Sequence, residues 1–310
     1  VTIEEFVAKM SLEELATLNC GSGWGVANEN TPVVGSSSDT IPGAAGETTV
    51  KYFDTHGIPS IVVADGPGGI RIKQEYEATD VTTGEIETYY QYCTAWPVSV
   101  LRGQTWNTEL LEEVGRAFAK ELKEMGITVV LGPSLNIHRD PLCGRNFEYY
   151  SEDPLISGLV GAAVCRGVEK HPGCGTTVKH FCCNNQEANR YQSNSIVSER
   201  ALREIYLKGF EYCISEGKPS ALMTSYNLLN GIHTSERADI LKTVLREEWG
   251  FSGLVVSDWV VAGMKGKNCK YRTARAAAAV KGGNDAFMPG NSGNYKDVLT
   301  ALKGKTPDIV

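Results

Sequence analysis

The chain has 310 residues, of which 42% are hydrophobic and 22% charged, and its formal net charge is -7 at pH 7. This composition is typical of a globular protein with one large domain or two ordinary ones. The negative net charge argues against a nucleic-acid partner. No apolar run approaches the roughly 18 residues that would predict a membrane-spanning helix, so we expect no membrane partner.

The first 50 residues predict two short helices and a loop. Apolar residues at helical spacing predict a helix over residues 2–10, and Ser11 with Glu14 forms a capping box for a second helix that ends near Gly21. The stretch 21–50 is rich in Gly, Ser, Thr and Pro, which is typical of a loop.

From residue 51 onward, short apolar strands alternate with amphipathic helices. Residues 70–95 form the largest insertion, for which we expect an exposed hairpin or loop. Predicted strands lie at 61–64, 95–98, 127–131, 176–179, 221–225, 254–257 and 285–288, and predicted helices at 108–125, 154–170, 198–216, 235–249, 273–281 and 295–303.

Alternation of strands with helices indicates parallel βαβ units. About seven such strands in 250 residues favour a (β/α)8-like TIM barrel, complete or incomplete, over a doubly wound sheet, because no G-x-G-x-x-G loop follows the first strand. The sequence therefore predicts a single α/β domain. Its barrel would occupy residues 51–310, with residues 1–50 leading into it.

The nine cysteines are an odd number and include no C-x-x-C pair. This usage predicts reduced, mostly buried thiols, neither a zinc site nor a cofactor, and a cytoplasmic location. No secretory signal is visible, but the chain begins at Val1 rather than at a methionine. The compartment and the residues encoded upstream therefore stay open.

Polar side chains follow several predicted strands, at the face where barrel enzymes carry their chemistry. Convergent polar groups with aromatic neighbours predict a ligand pocket there. Carboxylates, one lysine, one histidine, one arginine and a tryptophan suit a neutral polyhydroxylated ligand, and Asp258 could attack an anomeric carbon. We expect Lys179 and Arg145 to lower the pKa of Asp258 and hold it ionised. The strand-end residues are Asp65, 136–139, Lys179, His180, Met223, Tyr226, Asp258, Trp259, Pro289 and Asn291.

Several motifs resemble those of glycoside hydrolase family 3, in family order and over most of residues 60–290. They are ADGPGGIR at 64–71, LGPSLNIHRDPLCGRNFEYYSEDP at 131–154, VKHFCCNNQE at 178–187, LMTSYNLLNG at 222–231 and LVVSDW at 254–259. The resemblance implies the barrel domain of a retaining β-glucosidase, of the type in which a second α/β domain precedes the barrel.

The resemblance also implies roles for individual residues. Asp258 would be the catalytic nucleophile, and Tyr226 would lie against it. Met223 and Trp259 would form walls, and Arg71 would organise the pocket. The residues that would bind sugar hydroxyls are Asp65, Arg145, Lys179 and His180.

The general acid/base is the residue that the motifs do not supply. The single-domain members of the family carry an acid/base histidine in a loop after the K-H strand, where this chain reads CCNNQE at 182–187. Two-domain members take a glutamate from the second domain. We therefore expect that a missing α/β domain or second chain supplies it. Glu148 and Glu187 would be the first suspects if the acid/base lies within this chain.

Alternative functions remain open from the sequence. An acid at position 65 favours β-glucosides or short oligosaccharides as substrates over the xylosides of a β-xylosidase, and a β-N-acetylhexosaminidase is a further alternative within the family. Lys179 at a strand end also suits a Schiff-base aldolase. A pocket without an acid/base suits a non-catalytic sugar-binding module.

Overall fold

The computed structural model describes residues 2–23, 37–263 and 269–305. Strands are β1 (Gly46–Glu47), β2 (Val62–Asp65), β3 (Glu75–Thr79), β4 (Ile86–Tyr90), β5 (Val129–Leu131), β6 (Gly175–Phe181), β7 (Asn194–Ser195), β8 (Ala221–Thr224), β9 (Leu228–Leu229), β10 (Ile232–His233) and β11 (Leu254–Val256).

Helices connect most of these strands. The α-helices are α1 (Ile3–Val7), α2 (Leu12–Leu18), α3 (Phe53–His56), α4 (Ser99–Gln104), α5 (Thr108–Glu124), α6 (Pro154–Glu169), α7 (Glu199–Ala201), α8 (Lys208–Gly217), α9 (Ala276–Gly282) and α10 (Ser292–Leu302). Leu202–Tyr206 and Asp239–Glu248 are π-helical, and Asn146–Glu148 and Thr234–Glu236 are 3₁₀ turns.

The central element is a curled sheet whose strands lie in the order β1-β2-β5-β6-β8-β11 within the described residues. Its strands from β2 to β11 pair in parallel, whereas β1 is antiparallel to β2. Single bridges join Val256 to Ala286 and Cys20 to Phe287 in parallel, and Gly21 to Thr48 in antiparallel orientation. The prediction of an α/β fold with a parallel sheet is therefore confirmed.

Two apolar layers hold this sheet. Val63 and Val256 point to the concave side and pack with Trp259, while Val62 and Val255 point outward against the helices. This alternation follows from the two-residue period of a strand. Each buried aliphatic side chain contributes about 1.5–3 kcal/mol relative to an exposed one. The scaffold that carries the strand ends is therefore buried on both faces.

The predicted helices are mostly confirmed, with ends that differ by a few residues, and the predicted helix 198–216 is α7, a π-helix and α8 in succession. Both N-terminal helices begin at capping boxes, on Thr2 and Ser11. The segment 235–249 is helical, but it is a 3₁₀ turn followed by a π-helix rather than one α-helix. Insertion 70–95 carries the expected hairpin, formed by β3 and β4. The predicted loop 21–50 contains β1, and its residues 24–36 lie outside the described residues.

Two predicted strands are wrong. Residues 95–98 are irregular, because Pro97 has no N–H to donate to a ladder and the Trp96 N–H donates instead to the Gly68 carbonyl. At 285–288 the chain makes only the single bridges of Ala286 and Phe287. No helix among the described residues is both long and apolar enough to cross a bilayer. The nine cysteines form no disulfide within the described ranges, and most of them are buried.

Candidate functional site

A cavity of about 340 Å³ lies at the carboxyl ends of the parallel strands. Asp65 ends β2, Lys179 and His180 lie in β6, Met223 lies in β8, and Asp258 follows β11. The structure brings all nine predicted residues to this cavity: Asp65, Arg71, Arg145, Lys179, His180, Met223, Tyr226, Asp258 and Trp259. Their roles stay predictions.

Asp65 is held by two cations at one end of the cavity. Its Oδ1 accepts a hydrogen bond from Lys179 Nζ at 2.7 Å, and its Oδ2 accepts one from Arg71 Nη2 at 2.5 Å. Burial alone would raise the pKa of Asp65, but Lys179 and Arg71 lower it to about 2. Asp65 is therefore an ionised acceptor with a fixed orientation.

Arg145 organises the centre of the site. It donates through Nε and Nη2 to the two carboxylate oxygens of Glu148, at 2.9 and 2.7 Å, and through Nη2 to His180 Nε2 at 2.9 Å. Burial would raise the pKa of Glu148, but Lys179 and Arg145 lower it on balance. The guanidinium thus joins a carboxylate and an imidazole in one rigid group.

His180 is neutral in this arrangement. Burial and the positive charges of Arg145, Lys179 and Arg190 bring its pKa well below the usual value. Because Nε2 accepts from Arg145, the ring proton lies on Nδ1, which is 3.3 Å from Asn136 Oδ1. Asn136 also exchanges two hydrogen bonds with the His180 backbone, at 2.9 and 3.0 Å. The imidazole orientation is therefore fixed from both sides.

Asp258 differs from Asp65 in having few partners. Its Oδ1 accepts the Trp259 backbone N–H at 2.7 Å, while its Oδ2 accepts no well-formed hydrogen bond from any described residue and has the Tyr226 hydroxyl nearby. His180 Nε2 lies 3.8 Å from Oδ2, and because that nitrogen is an acceptor the contact is not an ion pair. A buried carboxylate oxygen without a partner is costly unless it is used.

The expected lowering of the Asp258 pKa is wrong. Burial raises the pKa of Asp258, and Arg145, the Trp259 N–H and Lys179 offset only part of that rise. The reason is geometric, because Lys179 donates to Asp65 and Arg145 to Glu148 and His180. Neither cation makes a hydrogen bond to Asp258 among the described contacts.

The walls of the cavity are aromatic and apolar. Trp259 is anchored by its Nε1, which donates to the Ala45 carbonyl at 2.9 Å, and Met223 lies opposite Val256 in the β8–β11 register. Tyr226 packs edge-on against Tyr191, with ring centres 4.6 Å apart. Burial and the nearby Asp258 raise the pKa of Tyr226, so its hydroxyl keeps its proton.

Sequence reasoning missed Arg190 and Phe147, both of which line the cavity. The Arg190 guanidinium lies 4.4 Å from the centre of the Tyr226 ring and donates to Glu187 at 2.8 Å. Phe147 lies within the quoted GRNFE motif, which is the signal that could have found it.

Some strand-end residues do not reach the cavity. Asn136 is buried behind His180, His138 Nε2 bonds to the carbonyls of Asn146 and Tyr149, and Asn291 caps α10. Their side chains are used for structure rather than offered to a ligand.

Comparison with known proteins settles which family this site belongs to. Residues 41–307 match the family model described as the glycosyl hydrolase family 3 N terminal domain. The chain belongs to glycosyl hydrolase family 3. Beta-glucosidase A of Butyrivibrio fibrisolvens is 44% identical over 259 residues, covering 84% of this chain and 28% of that protein. A beta-glucosidase of Ruminococcus albus is 36% identical, covering 97% of this chain and 29% of that protein.

Solved structures agree with this assignment. Beta-glucosidase 3B from Thermotoga neapolitana, in complex with alpha-D-glucose, superposes with a TM-score of 0.82 at 41% identity, covering 97% of this chain and 39% of that one. The chain therefore spans about a third of the length of the relatives it matches.

Proposed function

We propose that this chain forms the sugar-binding and nucleophile-bearing part of a retaining β-glucosidase that acts on terminal β-D-glucosyl residues. The observation that carries the proposal is Asp258 Oδ2, a buried carboxylate oxygen in this cavity that accepts no well-formed hydrogen bond from the described residues and lies near the Tyr226 hydroxyl. The other such carboxylate oxygen in the described lining, Glu187 Oε1, lies 3.8 Å from Arg145 Nη1. The names of the relatives favour β-glucosides over xylosides or N-acetylhexosaminides.

The proposed reaction has two displacement steps. Asp258 Oδ2 forms a bond to the anomeric carbon while the glycosidic C–O bond breaks, and the leaving oxygen takes the electron pair and a proton from a general acid. Water then attacks the same carbon, gives a proton to the resulting base and releases Asp258. In this scheme Tyr226 lies beside the nucleophile, and Arg71 holds Asp65. The walls of the cavity are Met223 and Trp259. The sugar hydroxyls are bound by Asp65, Lys179, Arg145 and His180.

We further propose that the general acid/base comes from another domain or chain. A general acid must carry a proton, whereas Lys179 and Arg145 lower the pKa of Glu148 and its carboxylate accepts from Arg145 and Ser134. Glu148 is therefore not free to deliver a proton. Glu187 accepts from Arg190 through Oε2, and its Oε1 lies 3.8 Å from Arg145 Nη1, so both of its oxygens face an arginine.

The barrel and the domain limits belong to the same proposal. We propose that the curled sheet closes into a (β/α)8-like barrel, with residues 51–310 as the catalytic domain and 1–50 leading into it. The single bridges of Ala286 and Cys20, and the bridge from Gly21 to Thr48 beside β1, support closure because they follow one another from β11 back towards β1.

Labelling by a 2,4-dinitrophenyl 2-deoxy-2-fluoro β-glucoside tests the proposal, because dinitrophenolate leaves without a proton. We expect one fluoroglucosyl group on Asp258, detected by peptide mass spectrometry. Glucose binding without an adduct would instead favour a non-catalytic sugar-binding module. Adduct formation at Lys179 with a carbonyl compound and borohydride would favour an aldolase. The 2.7 Å ion pair of Lys179 with Asp65 argues against an aldolase, because an ammonium has no lone pair.

Leaving-group dependence tests the origin of the acid. We expect the chain to hydrolyse aryl glucosides with good leaving groups, and to be slower on cellobiose by about 10²–10⁴-fold relative to an enzyme with its acid. Equal relative activity on both substrates would place the acid/base within the chain, and Glu148→Gln and Glu187→Gln would then identify it.

A further inference from the structure

A second cavity, of about 180 Å³, adjoins the first. It shares Asp65, Arg71, Phe147 and Glu148 with the first cavity, and its other walls are the loop 66–69 with Val98 and Ser99. Asp258, Trp259 and Met223 line only the first cavity. The second cavity therefore opens from the Asp65 end of the site.

The position of this cavity relative to the nucleophile decides what could occupy it. Asp65 ends β2 and Asp258 follows β11, and β5, β6 and β8 lie between these strands in the sheet. Four strand spacings of about 4.8 Å each separate the two aspartates along the sheet, and the sheet curls so that both line the first cavity, from different sides. If Asp258 attacks the anomeric carbon, a group in the second cavity is attached to the opposite side of the same sugar.

The loop that forms the second cavity leaves it open at Gly68. Gly66 and Gly69 have φ values of 136° and 138°, and an added Cβ would lie 1.6 Å from the Gly69 carbonyl oxygen and 2.4 Å from the Thr94 carbonyl oxygen, respectively. The backbone therefore requires glycine at both positions. Gly68 has no such requirement, since the nearest atom to an added Cβ is the Trp96 carbonyl oxygen at 3.9 Å.

The shared wall can bind a sugar. Phe147 is 55% exposed between the two cavities and offers an apolar ring, while Asp65, Arg71 and Glu148 offer charged groups to hydroxyls. The first cavity likewise combines aromatic side chains with charged hydrogen-bonding groups. A cavity about half as large has room for one further sugar ring or a smaller group.

We propose that the second cavity is a subsite for a glycosyl unit attached to the glucosyl residue whose anomeric carbon reacts at Asp258. The chain would then accept, in addition to terminal glucosyl residues, disaccharide glycones in which the reacting glucose is itself substituted through a hydroxyl beside Asp65. This inference rests on the proposed function, since it needs Asp258 to be the reacting end.

Three fluorinated probes test this subsite. They are the 2,4-dinitrophenyl 2-deoxy-2-fluoro β-glucoside and the corresponding cellobioside and gentiobioside, which carry a second glucose on O4 or O6 of the reacting ring. In each case the Asp258 oxygen bonds to the anomeric carbon, and the bond to dinitrophenolate breaks with its electron pair. We expect intact disaccharide adducts on Asp258 from at least one of the two longer probes.

Filling the second cavity should slow labelling by the disaccharide probes more than labelling by the glucoside probe. We expect Gly68→Trp to lower the ratio of disaccharide to glucoside labelling rates by about tenfold or more, because the new side chain takes the space of the second ring. Val98→Trp fills the same cavity from the residue before α4 and should shift the ratio in the same direction. Val81→Trp adds the same side chain at the fully exposed β3–β4 turn and should leave the ratio as it is in the parent chain.

The outcomes separate this inference from the proposed function. Absence of labelling by the glucoside probe contradicts the proposed function. Labelling by the glucoside but by neither disaccharide probe overturns the subsite alone. The subsite is also overturned if the ratio is unchanged in both Gly68→Trp and Val98→Trp. It is overturned as well if these variants change the dependence of the labelling rate on the leaving group more than its dependence on the glycone.

Discussion

Each end of the main cavity carries an aspartate, and the two aspartates differ in their hydrogen bonds and in the direction of their pKa shifts. Asp65 has both carboxylate oxygens bonded to cations, and its pKa is lowered to about 2. Asp258 has one oxygen bonded to a backbone N–H and one without a well-formed hydrogen bond from the described residues, and burial raises its pKa. The same side chain is thus stabilised at one end and left unsatisfied at the other.

This difference separates binding from reaction. A carboxylate that binds hydroxyls benefits from a fixed orientation and a permanent charge, which two cations provide. A nucleophile needs an oxygen that is not already engaged, and its stabilisation is deferred to the transition state. The unsatisfied end is therefore where we expect chemistry, at some cost in stability.

Substitution of each aspartate by asparagine should separate the two ends most strongly. We expect Asp258→Asn to reduce hydrolysis of 2,4-dinitrophenyl β-glucoside by on the order of 10⁴-fold or more, the scale seen when a nucleophile is removed from other enzymes. Asp65→Asn should reduce kcat/KM by about 10²-fold, as for the loss of a charge-assisted hydrogen bond. Steady-state kinetics with both variants measures this, and equal losses would contradict the division of roles.

Loss of Lys179 should destabilise the paired end. We expect Lys179→Met to lower the free energy of unfolding by about 3 kcal/mol, the lower part of the range for breaking a buried ion pair, because Arg71 still holds Asp65. Urea denaturation measures the change. In the double variant Lys179→Met/Asp65→Asn most of the loss should be recovered, since the carboxylate that Lys179 pairs is then absent and the half-exposed Arg71 is reached by water. An additive double variant would show that the pair is not coupled.

The two aspartates should also give opposite signs in the dependence of stability on pH. Asp65 contributes about 2 kcal/mol at neutral pH, and this contribution is lost as pH falls from about 3.8 towards 2. Asp258 has a raised pKa in the folded state, so it destabilises the fold above that pKa and ceases to do so as pH falls below 3.8.

The corresponding measurement compares two variants at two pH values. At pH 7 we expect Asp65→Asn to unfold at lower urea concentration than the parent chain and Asp258→Asn to unfold at higher concentration. Near pH 3 both differences should shrink. The same sign for both variants at pH 7 would contradict the electrostatic contrast between the two ends.

The strand-end pattern predicted much of this site before any coordinates. Asp65, Lys179 and Asp258 each follow or end a short apolar strand, and parallel strands bring their carboxyl ends to one face. Arg145 lies in the loop that carries the 3₁₀ turn, so only the motif around it indicated its place. The alternation of elements fixed α5 and α6 to within two residues.

The remaining features depend on contacts between distant parts of the chain. Arg190 lies in a loop between β6 and β7, and no periodicity indicates that it reaches the Tyr226 ring. The direction of the Asp258 pKa depends on which carboxylates Lys179 and Arg145 contact, which the sequence does not encode locally. The predicted strand at 95–98 failed because one proline outweighed an apolar run.

The smallest expected effect concerns the loop beside Asp65. Gly68→Ala should raise the free energy of unfolding by about 0.4–1 kcal/mol, because alanine restricts the unfolded chain and its Cβ meets no atom closer than 3.9 Å. Gly66→Ala in the same loop should instead destabilise the protein, since its Cβ would overlap the Gly69 carbonyl. Urea denaturation of both variants gives the comparison. If Gly68→Ala stabilises the protein, the backbone does not need glycine at position 68, and the stability lost there is expected if the open space beside Asp65 serves a ligand. If Gly68→Ala destabilises the protein, glycine at 68 is required by the fold.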